Sequence, residues 1–398
     1  VFVFLRFYDL EHKTPFAWDQ TSNAWMMRQV LVEHKFPLEG MVAKASTGFY
    51  IGPGYYYLLA PFYWAFQRDP IAAPVFAGFV AIASFWVFYL TILHMFSKSA
   101  ALWSAALHTV SFHAIVSSRV PWPVIFIPMV SLGIFYSLYL ILQGKPKALL
   151  LLAALLGFSF HIHFTAVYFL LIVGLLLPAI VRKAFSIKYI LAALGVFILF
   201  FIPQIIVGVT NSFSSGQNAL NYTSLYYHGF HLRRMMQLLP DAFIQFEGLL
   251  FFRELRLGGV VILPLFLFVL WYTKHKTFLW VAVLSILWIL VPWLVMTLYS
   301  GEISEYYFAS TLPVAIMSIG FLFSILSAHR VGLVIALGLF GVYATFNIQR
   351  FLRPSKGVLP VARKEAMRAL EEGRAIDFSE GDPASYLYDL YKGRAIKQ

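Results

Sequence analysis

Apolar runs of about 20 residues recur from residue 71 to residue 348, separated by short basic turns. As a helix, that length crosses a hydrocarbon core about 30 Å thick. The pattern predicts spans at 71–95, 100–118, 121–142, 148–161, 163–181, 188–210, 257–273, 278–298, 308–327 and 331–348. The opening "VFVFL" reads as the stump of a truncated first span, since no basic-then-apolar leader precedes the first loop. The expected fold class is an all-α polytopic membrane bundle of about eleven spans.

The polar positions sort as strongly as the apolar ones. Lysine and arginine concentrate in the short cytoplasmic loops of membrane proteins. The turns around Lys98, Lys145/Lys147, Arg182/Lys183/Lys188, Lys274/Lys276 and Arg330 are basic and hold no acid. Up to residue 310, every Asp and Glu falls in 6–70, 211–256 or 299–307, which places those three segments outside. Two ambiguous runs are resolved the same way. Residues 148–181 form an apolar run of about 34, long for one crossing and short for two. A single crossing would put "RKAFSIK" outside against its charge, so two short spans meeting near "HIH" are expected. Residues 51–66, "IGPGYYYLLAPFYWAF", would reverse every later loop if they crossed. Their glycines, prolines and tyrosines suit a helix in the outer interface. After the last span, Arg350, Arg353, Lys356, Arg363 and Lys364 by themselves indicate the cytoplasm. The five basic turns constrain one another jointly and outweigh that cluster. The expected division is a transmembrane domain over 1–348 and a polar outer segment over 349–398, part of a small outer-face domain.

Composition narrows the chemistry. Of 398 residues, 60% are hydrophobic and 12% charged, about half the charge of a soluble domain. The net charge of +12 therefore belongs to cytoplasmic loops and anionic headgroups rather than to nucleic acid. Zero cysteines excludes disulfides, thiolate chemistry and cysteine-ligated zinc.

Against this background "AWDQTSNAW" stands out, with Asp19 between Trp18 and Trp25 in the first outer loop. A carboxylate facing a cavity at the membrane surface can act as a general base towards a hydroxyl. "FSFHIHFTA" puts His161 and His163 at the outer tip of the paired short spans, placed to bond backbone or to contact a phosphate. Two histidines two residues apart without a carboxylate are weak evidence for a metal. Arg119, in "SSRVPWP", emerges where a span reaches the outer surface, and a guanidinium there suits a phosphate. The large loop offers Arg233, Arg234, Arg253 and Arg256 for a leaving phosphate or for headgroups. "YSGEISEYYFASTLP" places Glu302, Glu305, Tyr306 and Tyr307 just before a span, as interfacial anchors or as substrate contacts. "NYT" at 221–223 formally matches a glycan acceptor, which matters only in a eukaryotic secretory setting. No phosphate loop and no glycine-rich dinucleotide fingerprint occurs, so a transferred group reaches the outer face on something other than a cytosolic nucleotide.

The order of "WDQTSNAW", "GPGYYYLLAPFYW", "DPIAAPVFAGFVA", "LLGFSFHIHFTAVYFLL" and "EYYFASTLPVAIM" resembles the C-type (GT-C) membrane glycosyltransferases of the protein O-mannosyltransferase and aminoarabinose-transferase group, over about residues 6–330. The resemblance implies transfer of a sugar from a polyprenyl-phosphate donor to a lipid, glycan or protein acceptor on the extracytoplasmic face of the cell membrane, with inversion. It also implies that Asp19 is the base. Two departures are visible. The acidic pair common in the family is Asp19-Gln20 here, and the usual Lys-Pro before the aromatic helix is Gly52-Pro53. Donor-phosphate contacts are then expected from Lys44, Arg119 or an arginine of the large loop such as Arg253. His161, His163, Tyr55, Glu305 and Tyr306 complete the expected substrate site. No cofactor is required, and a divalent metal near Asp19 is compatible with the sequence. The rival readings are a transporter or flippase of lipid-linked glycans, and an oligosaccharyl transferase or glycan polymerase of similar architecture.

Overall fold

A computed structural model describes residues 1–43, 47–210, 214–227, 229–247, 258–276 and 278–395. Among these the secondary structure is helical, with two isolated β-bridges. Six helices are long and apolar enough to cross a membrane: Ala72–Met95, Pro123–Leu142, Phe164–Ala184, Phe278–Leu298, Glu305–Leu326 and Arg330–Leu352. Each falls within a few residues of an expected span.

The other expected spans differ, for local reasons. The 100–118 segment breaks at Ser111, whose extended ψ of 121° ends Lys98–Val110 and whose Oγ accepts from the Ala114 N–H to start Phe112–Ser117. The 188–210 segment bends by 57° between Ile187–Phe200 and Ile202–Thr210. Pro203 follows the break in the first turn of the second piece, where its missing N–H is tolerated. Ala148–Ser159 has 12 residues and Gly258–Tyr272 has 15. Among the described residues six helices, or seven with the bent pair, pass as spans by length and composition, beside the two shorter apolar helices. Residues 2–7, read as the end of a span, form a six-residue helix packed on Ala72–Met95 and Lys98–Val110.

Side-chain size fixes how closely the helices approach. A Cβ on Gly320 would fall 1.9 Å from Ser104 Oγ, so Leu312–Leu326 and Lys98–Val110 meet backbone against side chain. Small residues permit such approach where lipid, as apolar as the helices, supplies no hydrophobic drive. Deeper in the core the fully buried Trp288 donates Nε1–H to Ser131 Oγ at 2.8 Å, and Ser131 donates to the Ser310 carbonyl at 2.6 Å.

The three acid-bearing segments meet at one end of the bundle, as the charge sorting predicts. Asn218 donates to the Gly48 carbonyl (2.9 Å), Arg234 to the Gly301 carbonyl (3.0 Å), and the Ser300 N–H to the Tyr226 carbonyl (2.6 Å). Leu359–Glu371 and Pro383–Ala395 pack on each other and join the same end. Arg363 pairs with Asp69 at 2.6 Å and with Glu11 at 2.8 Å, and Arg28 pairs with Asp389 at 2.8 Å. The C-terminal basic cluster is thus partly neutralised by first-loop acids, so its charge alone does not set its side.

Candidate active site at the acid-bearing end

Asp19 lies in the first turn of Trp18–Val32. Gln20 Oε1 accepts the Ala17 N–H at 3.1 Å and starts that helix, while Gln20, Asn23, Ala24, Met27 and Val30 form its buried stripe. Asp19 is half-buried and makes no side-chain hydrogen bond or ion pair among the described residues. Proximity to a helix N-terminus favours its charge. Burial opposes that and wins, raising the carboxyl above its ordinary value. The result is a carboxylate with no counter-ion and increased basicity. The C-terminal segment braces this helix from outside: a Cβ on Gly381 would fall 1.8 Å from the Trp18 ring, and Trp25 packs between Phe378 and Tyr386.

Gly54–Ala65, 12 residues and about 18 Å long, is too short to span and packs between the Asp19 helix and Ala72–Met95. It buries Tyr55, Tyr56, Leu59 and Tyr63 on one side. Asp19 is within electrostatic range of Tyr56 and Tyr306.

Tyr306 also lines a cavity of about 400 Å³ at this end. Its walls come from 77–84 in Ala72–Met95, from 108–128, from 240–245, from 305–312 and from the end of Arg330–Leu352. Small apolar residues such as Ala77 and Ala81 lie alongside Asp241, Gln245, Glu305 and Arg350. His113 and Gln245 are 2.9 Å apart across it, and Trp122 meets Tyr306 edge-on at 4.6 Å.

The expected site residues therefore part company. Glu305 and Tyr306 line the cavity; Asp19 is not in its lining but lies within electrostatic range of Tyr306. Tyr55 is buried between helices, its hydroxyl without a partner. Lys44 and Arg253 lie outside the described residues.

Arg119 and the two histidines take structural positions instead. Arg119 is 1% exposed, and its guanidinium donates to the carbonyls of Leu5 (3.0 Å), Arg6 (3.1 Å) and Asp9 (3.3 Å). Burial pulls it down to about 10, with Asp9 opposing, so it stays charged at neutral pH, but its fork is engaged by backbone and not by the cavity. His161 accepts the Gly54 N–H at Nδ1 (3.0 Å), which leaves Nε2–H to donate to the Phe200 carbonyl (2.7 Å). His163 Nδ1 accepts the Thr165 N–H, and burial pushes the imidazole down to about 3. Neither ring offers a phosphate a positive charge near neutral pH. The contact with His161 also explains the glycines of "GPG": a Cβ on Gly52 would fall 2.3 Å from His161 Nδ1 and 2.4 Å from Gln204 Nε2. A lysine has no room there.

Sequence reasoning missed Arg350, His113 and Gln245 as cavity residues. Arg350 was visible only as one of a basic cluster after the last span. Its place in the cavity depends on the packing of that helix against Phe112. Among the described residues, no group of three His, Asp or Glu side chains could hold a metal ion.

No protein-family model matches the sequence, and no curated protein matches it. Solved structures do. ArnT from Cupriavidus metallidurans bound to undecaprenyl phosphate superposes with a TM-score of 0.64 at 11% identity, over 99% of this chain and 86% of that one. The apo ArnT structure gives 0.60. The oligosaccharyltransferase AglB of Archaeoglobus fulgidus, in complex with an inhibitory peptide and a dolichol-phosphate, gives 0.52 at 12% identity, over 96% of this chain and 59% of that one. The chain shares the fold of ArnT and AglB.

Proposed function

We propose that this chain transfers a sugar from a polyprenyl-phosphate donor to a hydroxyl acceptor at the outer membrane face, with Asp19 as general base. The observation that carries the reading is a half-buried carboxylate without a counter-ion among the described residues, within electrostatic range of Tyr306 on the wall of a membrane-end cavity. Its support from the fold is the likeness to ArnT bound to undecaprenyl phosphate. The sorting of acids and bases along the chain supports the outer location.

In this mechanism the acceptor oxygen attacks the anomeric carbon from the face opposite the phosphate. The new C–O bond forms as the bond to the phosphate oxygen breaks. Asp19 takes the acceptor proton, and the polyprenyl phosphate leaves with the electron pair, so the anomeric configuration inverts. A raised carboxyl pKa suits this role, because a base closer to neutrality has more driving force for the proton. Positive charge fixed in a partly dehydrated cavity stabilises the departing phosphate better than water does.

The test is reconstitution of the full chain with a panel of polyprenyl-phosphate sugars and hydroxyl acceptors, scoring release of polyprenyl phosphate. Release with at least one donor supports the reading. Movement of intact lipid-linked glycan across the bilayer, with no bond broken, favours a flippase and sinks it.

A further inference from the structure

We infer that Arg350 receives the phosphate of a lipid phosphate monoester in the cavity, with the lipid chain lying along the wall that carries Ala77 and Ala81. The inference deepens the donor reading above and rests on it for the identity of the lipid.

Among the described residues the cavity lining holds one arginine, Arg350. Arg6 and Arg119 hold backbone carbonyls, Arg28 and Arg363 hold carboxylates, and Arg234 and Arg394 hold the carbonyls of Gly301 and Gln67. Arg350 lines the cavity and forms neither an ion pair nor a hydrogen bond with any described residue. A half-buried cation with no acceptor calls for an anion.

Geometry points the same way. The Arg350 guanidinium lies over the Phe112 ring, 4.1 Å from its centroid. Stacking covers the face of the planar group and leaves its edge N–H donors directed within the plane, the arrangement that binds phosphate bidentately. The platform is fixed. One turn before Arg350, Asn347 Oδ1 accepts the Phe112 N–H at 2.9 Å, while its Nδ2 donates to the Tyr343 carbonyl at 2.8 Å. Ring and guanidinium are thereby held in register from both sides.

The rest of the lining fits an amphiphile. Ala77, Val80 and Ala81 come from a membrane-crossing helix and leave room for an apolar chain. Glu305 would repel a phosphate bound beside it, which favours Arg350 as its position, and its carboxylate can accept hydrogen bonds from sugar hydroxyls. Tyr306, on this cavity's wall, is within electrostatic range of Asp19.

The test is binding of sugar-free polyprenyl phosphate to the purified full chain in nanodiscs, with melting temperature measured on each sample. Arg350→Ala should weaken binding about tenfold or more, as expected for lost hydrogen bonds to a charged group. Arg350→Lys should fall between it and the unmodified chain. Ala81→Phe, which narrows the apolar wall without touching the charge, should weaken binding as well. Arg353→Ala, an exposed neighbour outside the cavity, should bind normally. Phosphatidylglycerol and inorganic phosphate should compete poorly. Equal losses in Arg350→Ala and Arg353→Ala would reduce the effect to general surface charge and overturn the assignment. Phosphatidylglycerol competing as well as the polyprenyl phosphate would overturn selection of a monoester, and inorganic phosphate doing so would remove the role of the wall. Normal binding with no sugar released from any donor would leave Arg350 as a lipid-phosphate site and end the transferase reading instead.

Discussion

Arg119 caps the helix that carries Arg6. Its guanidinium takes the carbonyls of Leu5 and Arg6 at the end of Phe2–Phe7, and Arg6 in turn takes the carbonyls of His108 and Thr109 at the end of Lys98–Val110. Two buried cations thus satisfy helix C-termini, where the backbone dipole favours them. Arg119→Ala should strip the first helix of these bonds and cost about 2–4 kcal/mol of stability, given about 1–3 kcal/mol per orphaned buried acceptor and some relaxation. The check is melting temperature beside donor KM: the first should fall and the second should hold in the folded fraction.

The GPG turn gives a steric prediction. Installing the family's usual lysine at Gly52 would drive a Cβ into His161 and Gln204. Gly52→Lys should express poorly or melt early, and His161→Ala should partly rescue it by clearing the nearer contact. A Gly52→Lys chain as stable as the unmodified one would contradict the described packing.

The burial of Asp19 has a stability consequence with a definite sign. Its raised folded pKa means that the folded chain holds the proton more tightly than the unfolded chain. That contribution is present in acid and is lost as pH rises through the folded value. Asp19→Asn should therefore melt above the unmodified chain at pH 7, with the gap closing as pH falls below the ordinary carboxylate range of about 4. The acidic limb of kcat/KM should lie above that range for the same reason.

Sidedness is tested by cysteines in a chain that has none. Ser224→Cys, exposed at the acid-bearing end, should react with an impermeant thiol reagent in intact cells, and Ser97→Cys at the basic end should not. The opposite pattern would reverse the orientation.

Much of the bundle is legible along the chain because run length and charge answer to the bilayer directly. Phe278–Leu298 coincides with its expected span, and the sorting of acids assigns the segments of Gly48, Tyr226 and Gly301 to one end, where they meet. The break at Ser111 is not legible, since a serine inside an apolar run tolerates helix as well as cap. Nor is the burial of Arg119: an arginine at a span end reads the same whether it faces phosphate or three carbonyls. Arg350 shows the reverse failure. Its distinguishing partners, Phe112 and Asn347, are set by packing between distant segments, and in sequence it looks like one more basic anchor.

In the proposed mechanism Asp19 removes the acceptor proton, and its loss is read in the rate of turnover. With a donor that supports turnover, the rate of polyprenyl-phosphate release is compared between the unmodified chain and Asp19→Asn, beside binding of sugar-free polyprenyl phosphate to both. The rate should fall about 10²-fold or more with binding unchanged, since a neutral amide cannot accept the proton. An Asp19→Asn chain that keeps more than about a tenth of the rate would contradict it.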